Sequence, residues 1–247
     1  MKKYLILILF VLCSPGLAVA SGGDVHLEKA NIDPTNRNSL QRGARTFVNY
    51  CLSCHSAAFQ RYSRLSADLG IPEMDIIENL MFTGEKIGDH MKVAMSRIDA
   101  KNMFGAAPPD LTLVARVRGA DWLYTYLHSF YLDDSRPFGV NNVVFPNVGM
   151  PHVLWELQGW QKPVFKTVIE HDGAEHEKLE SLELVEPGKQ TEVEYDQTVR
   201  DLVNFLSYMG EPIKQKRQAL GIKVILFLLV FSVIAYLLKK EYWKDVH

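Results

Sequence analysis

The chain has 247 residues, 47% of them apolar and 11% aromatic, and a formal net charge of -2. That apolar and aromatic content excludes a disordered chain, and the length allows one ordinary domain with additional segments. A balance so close to neutral offers no basic face for nucleic acid.

The N-terminus reads Met1-Lys2-Lys3, an apolar run from Tyr4 to Cys13, then Ala18-Val19-Ala20 before Ser21. A basic start, a short apolar core and an Ala-x-Ala end describe a secretory signal peptide, with cleavage expected after Ala20. The run is too short to cross a bilayer. Cys13 would leave with the leader, so the exported chain keeps two cysteines, Cys51 and Cys54.

Between Ser21 and the C-terminal region the pattern is mainly helical. Ser39 is placed to cap a helix with Leu40, Ala44, Phe47, Val48 and Cys51 on one face. A second helix is expected over about 73–82, stopped by Gly84, and a third over about 121–131, with Trp122, Tyr126 and Phe130 at i, i+4 and i+8. Residues 163–195 alternate apolar and polar side chains and carry a Pro187-Gly188 turn, which predicts a small antiparallel β insert. A fourth helix is expected from Asp196 as N-cap, carrying Val199, Leu202, Val203, Leu206 and Met209 and ending before Pro212.

Residues 219–238 form a run of twenty with one charge, Lys223. As a helix they rise about 30 Å, the thickness of a bilayer's hydrocarbon. Lys214, Lys216 and Arg217 flank one end; Lys239, Lys240 and Lys244 flank the other, with Tyr236, Tyr242 and Trp243 as interfacial aromatics. No polar face remains for a soluble helix to show to water. The expected organisation is a signal peptide over 1–20, an exported domain over 21–218, a transmembrane helix over 219–238 in contact with lipid, and a cytoplasmic tail over 239–247.

Cys51-Leu52-Ser53-Cys54-His55 carries the chemistry. Two thiols three positions apart can add to two vinyl groups on one haem edge, and the next residue sets an imidazole under the iron. A thioredoxin-like pair would use the same Cys-x-x-Cys, but gives His55 no role and calls for a preceding strand. A structural zinc site wants four ligands, and the chain has no second cysteine pair.

A c-type electron-transfer haem commonly takes methionine as its sixth ligand. Met150 stands in Phe145-Pro146-Asn147-Val148-Gly149-Met150-Pro151, a loop stiffened by two prolines; Met103 is the second candidate, and Met209 fits helix packing. Ala106-Ala107-Pro108-Pro109-Asp110-Leu111 is a rigid segment able to line a haem edge or simply to join helices. Arg116 and Arg118 follow, either a natural partner for haem propionates and either equally at home in solvent.

Together these pieces resemble the cytochrome c1 family. The matching stretches are Arg42-Gly43 through Cys51-Leu52-Ser53-Cys54-His55, Ala107 to Leu111, Arg116-Val117-Arg118-Gly119, Gly149-Met150-Pro151, and the apolar run after Glu211-Pro212. They cover nearly the whole exported chain in order. The resemblance implies a class I cytochrome c-like haem domain with one haem c bound through Cys51 and Cys54. It implies His55 and Met150 as axial ligands, Arg118 as propionate partner, and Pro109 and Trp122 beside the haem. It implies, too, a subunit of the ubiquinol–cytochrome c reductase (bc1) complex rather than an enzyme alone. Electrons would arrive from a Rieske iron–sulfur protein and leave to a soluble cytochrome c, with cytochrome b beside the anchor in a bacterial inner membrane and the haem domain in the periplasm.

Two features depart from the mitochondrial members: Met150 runs directly into Pro151-His152-Val153-Leu154-Trp155, and the β insert is longer. Residues 170–196 hold ten acidic side chains and two lysines, which would either steer a basic electron acceptor or keep a hairpin soluble. Two other readings of the motif remain at this stage. One is a membrane-anchored electron shuttle serving another oxidase or reductase; the other is a haem sensor or catalytic haem with an open sixth position.

Overall fold

The computed structural model describes residues 25–169 and 175–244. The expected signal peptide, the last residues of the tail and the tip of the β insert lie outside these.

Helix α1, Arg37–Thr46, starts at Asn36, whose side-chain oxygen accepts from the Ser39 amide at 3.1 Å. Ser39 was expected to cap, but it is buried one turn inside, where its hydroxyl accepts from Asn204 Nδ2 at 2.9 Å. The helix then widens into a π-helical turn, Phe47–Cys51, closed by the Leu52 amide on the Phe47 carbonyl at 3.0 Å. Such widened turns are rare and concentrate at functional sites; this one ends on the first cysteine.

A short strand β1, Ala57–Arg61, follows, then α2, Tyr62–Leu69, and α3, Glu73–Asn79. Helix α3 stops three residues before its expected end because Leu80 leaves helical geometry (φ -130°). Strand β2, His90–Met91, pairs antiparallel with β1. Helices α4, Arg97–Phe104, and α5, Val114–Arg118, lead to α6, Ala120–His128. The third predicted helix thus ends at His128, where the Ser129 amide closes on the Tyr126 carbonyl. Phe130–Leu132 (β3) instead pairs antiparallel with Val140–Asn142 (β4).

After the short α7, Trp155–Gln158, strands β5, Gly159–Ile169, and β6, Glu175–Pro187, form the expected antiparallel insert. Its base is pinned: Gln161 Nε2 donates to the His128 and Phe130 carbonyls at 2.9 and 3.0 Å. The insert ends at Pro187. Residues 191–195 already belong to the start of α8, Glu192–Gly210, because Thr191 and Glu194 close a reciprocal capping box. Asp196, the expected cap, is occupied instead by the Tyr124 hydroxyl and by Arg200 at 2.6 Å.

The core is the crossing of α1 and α8. Phe47 and Phe205 meet with ring centroids 5.7 Å apart. Arg42 closes the crossing with two hydrogen bonds to Asp201, Nε to Oδ2 at 2.6 Å and Nη2 to Oδ1 at 3.1 Å. At the contact sits Gly43: a Cβ there would overlap the Asp201 carbonyl oxygen and lie 2.7 Å from the Phe205 Cβ.

Helix α9, Lys214–Tyr242, runs unbroken for 29 residues, and its most apolar window has a mean hydropathy of 2.6 with none of it buried by the rest of the chain. Only residues 211–213 separate it from α8. The junction is tied on two sides: Glu211 accepts from Arg217 Nε at 2.8 Å and faces Arg116 at 3.5 Å, and Gln215 Nε2 donates to the Pro34 carbonyl at 2.7 Å.

His128 gives this packing an acid limit. Its ring sits between Tyr124 (centroids 4.4 Å) and Tyr195 (5.2 Å), with Nδ1 against the Tyr124 carbonyl at 2.9 Å. Burial lowers its pKa, against the opposing pull of the Tyr124 carbonyl, Glu28 and Asp196, with Arg200 adding to the lowering. A histidine whose folded pKa is depressed stabilises the fold above the ordinary value near 6.5 and loses that contribution as pH falls. Thermal melts are expected to soften below about pH 6.5, and His128→Gln is expected to flatten that acid limb; an unchanged limb would assign it to other groups.

Candidate functional site

The Cys51 carbonyl accepts from both the Cys54 amide (3.1 Å) and the His55 amide (2.8 Å). The chain thereby folds back so that two thiols and an imidazole leave one turn. Cys51 is buried and Cys54 half-buried, and neither is in a disulfide. Burial, and secondly the neighbouring Cys54, push the Cys51 thiol up to about 12, so it stays protonated at neutral pH.

His55 is buried, and its Nδ1 lies 2.7 Å from the Pro109 carbonyl. A carbonyl only accepts, so Nδ1 carries the proton and Nε2 is left with a free lone pair. Burial lowers the pKa of the ring, outweighing the Pro109 bond and the Asp110 charge that raise it. The neutral imidazole is the ligating form.

The segment after Pro109 is stitched to the motif. Asp110 accepts from the Ala58 amide at 2.7 Å and the Thr112 amide at 2.9 Å, and the Leu111 amide donates to the Ser56 carbonyl at 2.8 Å. Pro109 is therefore brought directly onto His55.

Met150 is half-buried, packed against the core and close to the Tyr126 hydroxyl, which donates to its sulfur at 3.3 Å. Trp122 stacks on the Tyr126 ring, centroids 4.9 Å apart and planes 10° from parallel. Arg118 lies over the Trp122 ring at 5.0 Å and over Phe145 at 5.8 Å. Among the described residues no carboxylate pairs with Arg118, whereas Arg116 faces Glu211. Met103, the second methionine candidate, sits in the last turn of α4, 63% exposed.

Tyr126 and Asn142 are site residues that sequence reasoning passed over. In the sequence, Tyr126 is one step of the Trp122-Tyr126-Phe130 apolar helix face. Asn142 is completely buried; its Nδ2 donates to the Tyr126 carbonyl at 2.8 Å while its Oδ1 accepts from the Val144 and Phe145 amides at 2.9 and 3.1 Å. The Asn141-Asn142 pair before the proline loop was the available signal, since side-chain amides commonly cap turns.

The donor set suits a c-type haem: two unpaired thiols in one turn, an imidazole nitrogen freed by its partner's hydrogen bond, and a thioether on an ordered loop. The chain leaves large apolar side chains exposed at Leu113 beside α5, at Val117 on it, and at Phe145 five residues before the methionine.

Comparison with known proteins agrees. The model of the Cytochrome C1 family matches residues 28–246. A cytochrome c1 of Allochromatium vinosum is 54% identical over 247 residues, covering all of both chains. A Nitrosomonas europaea protein named ammonia monooxygenase gamma subunit is 48% identical, also over the full length of both. A cytochrome c1 of Rhodospirillum rubrum is 28% identical over 99% of this chain and 97% of its own. The family's proteins carry one covalent c-type haem, and its membership together with the apolar helix α9 makes this a single-pass membrane protein. The chain belongs to the cytochrome c1 family, the haem-bearing electron-transfer subunits of the bc1 complex, which carry electrons within that complex and are not catalytic alone.

Proposed function

We propose that Cys51 and Cys54 hold the haem by thioethers, that His55 Nε2 and the Met150 sulfur are its axial ligands, and that Arg118 meets its propionates. The observation that carries this reading is the single turn in which both free thiols and a neutral, oriented imidazole leave the chain together. When bound there, the haem supplies one-electron chemistry between ferric and ferrous iron.

The chain's own residues do the rest. Pro109 fixes the tautomer and plane of His55. Met150 would supply the sixth ligand, which would leave no place for a substrate and would suit outer-sphere transfer. Leu113, Val117 and Phe145, exposed in the chain alone, would exclude water once the haem covers them, and Pro109 and Trp122 would border it. Of Arg116 and Arg118, Arg118 is the one without a carboxylate partner among the described residues, which supports it as the partner of two anionic propionates.

The Rieske iron–sulfur protein is the proposed electron donor, soluble cytochrome c the acceptor, and cytochrome b the neighbour of α9 in a bacterial inner membrane. A cleaved leader over 1–20 would put residues 21–218 in the periplasm, the span over 219–238 in the lipid, and 239–247 in the cytoplasm. Two of the ten acidic side chains over residues 170–196, Glu192 and Glu194, stand in the first turn of α8 and not in the insert, and Glu194 is engaged in its cap.

The test is retention of colour in acidified acetone. The natural chain is expected to keep its haem, and a Cys51→Ser, Cys54→Ser double variant to lose it. Loss from the natural chain, or two thiols there that alkylate freely, would overturn the reading.

A further inference from the structure

The Met150 sulfur has two lone pairs, and the structure accounts for a second partner. The Tyr126 hydroxyl donates to it at 3.3 Å. The donor is tightly held: its ring is stacked on Trp122, meets Phe130 edge-on at 5.1 Å, and is 9% exposed. Its backbone carbonyl is held by Asn142 Nδ2, and the same amide's oxygen binds the Val144 and Phe145 amides that begin the run to Met150. Asn147, three residues before the methionine, is fixed by Arg136 at 3.1 Å on its side chain and at 3.1 Å on its carbonyl. One buried side chain therefore joins the element bearing the hydroxyl to the loop bearing the sulfur.

We propose that Tyr126 is a positioning residue for the Met150 thioether, and that Asn142 holds hydroxyl and sulfur at their fixed separation. This rests on the reading of Met150 as axial ligand. A hydrogen bond on one lone pair draws density from the sulfur, making it a poorer donor to ferric than to ferrous iron. It also limits the sulfur to the one orientation in which its other lone pair is free.

Tyr126→Phe keeps the ring and its stacking and removes only the hydroxyl. At a fixed mediator potential, the ratio of oxidised to reduced variant is then expected to rise about threefold to tenfold, roughly 30–60 mV for one electron. The methionine-to-iron charge-transfer band should persist but shift. Asn142→Ser cuts the link between α6 and the loop, and is expected to let imidazole displace the methionine from the oxidised protein about tenfold more readily.

The two failures are distinguishable. A natural protein without the methionine charge-transfer band would overturn the Met150 assignment itself. A natural protein with that band, beside a folded Tyr126→Phe variant whose potential and band are unchanged or whose potential rises, would overturn the role of Tyr126. Unchanged imidazole affinity in Asn142→Ser would overturn the role of Asn142.

Discussion

Replacing Met150 by alanine is expected to leave the haem attached and the protein electrochemically transformed. Thioether ligation favours ferrous iron, and axial ligation commands a span of about 0.8 V across haem proteins; losing the sulfur should lower the potential by on the order of 0.2 V. The charge-transfer band should vanish, and carbon monoxide should bind the reduced protein, which the six-coordinate form resists. The structure gives a reason to expect so localised an effect. The loop before Met150 is held by Asn142, Arg136 and the buried Val148 rather than by the methionine, so the alanine variant keeps its surroundings. Met103→Ala, at an exposed position on α4, is the control and should change neither spectrum nor potential. If the two variants exchanged these behaviours, the sixth ligand would be reassigned.

The second large effect is on stability. Gly43→Ala places a methyl group where the Asp201 carbonyl oxygen already sits, with Phe205 directly behind it. Neither is the free end of a flexible side chain, so the α1–α8 crossing has to open. Overpacking of this kind typically costs about 3 kcal/mol, which for a chain of this size is a loss of about 6–12 °C in Tm. Opening the crossing also lengthens both Arg42–Asp201 hydrogen bonds. Gly70 is the informative comparison: it has a positive φ of 73° but nothing within 4 Å of a Cβ. Gly70→Ala should therefore cost about 1 kcal/mol of backbone strain alone. Equal Tm shifts in the two variants, read by thermal melts of the haem-loaded chain in detergent, would contradict the packing argument.

The parts of this protein that were legible in the sequence are those whose chemistry is contiguous. Two thiols and an imidazole must come from neighbouring positions to reach one edge and one face of a planar group, so residues 51 to 55 announce themselves. The apolar stretch inside α9 is legible for the same reason, since a bilayer reads length and composition along one helix. The helix starts were misplaced wherever two capping residues stood close together. Ser39 lost to Asn36 because Ser39 was needed in the core beside Asn204, and Asp196 lost to Thr191 because Tyr124 and Arg200 had taken its carboxylate. The Thr191-Glu192-Val193-Glu194 signature of a capping box was present, but the alternation of the preceding strand masked it. Tyr126 and Asn142 were hidden for a different reason. Their roles exist only where α6, β4 and the methionine loop converge, and no spacing along the chain encodes that meeting.

The short join between α8 and α9 bears on how the subunit works. The helix at the centre of the haem domain passes into the anchor through three residues, with Glu211 and Gln215 bracing the corner. That corner fixes how the domain is seated on α9 in the structure. The placing of the Cys51–His55 turn relative to the anchor is therefore set at one tied corner, by Glu211 and Gln215, and not by a long linker.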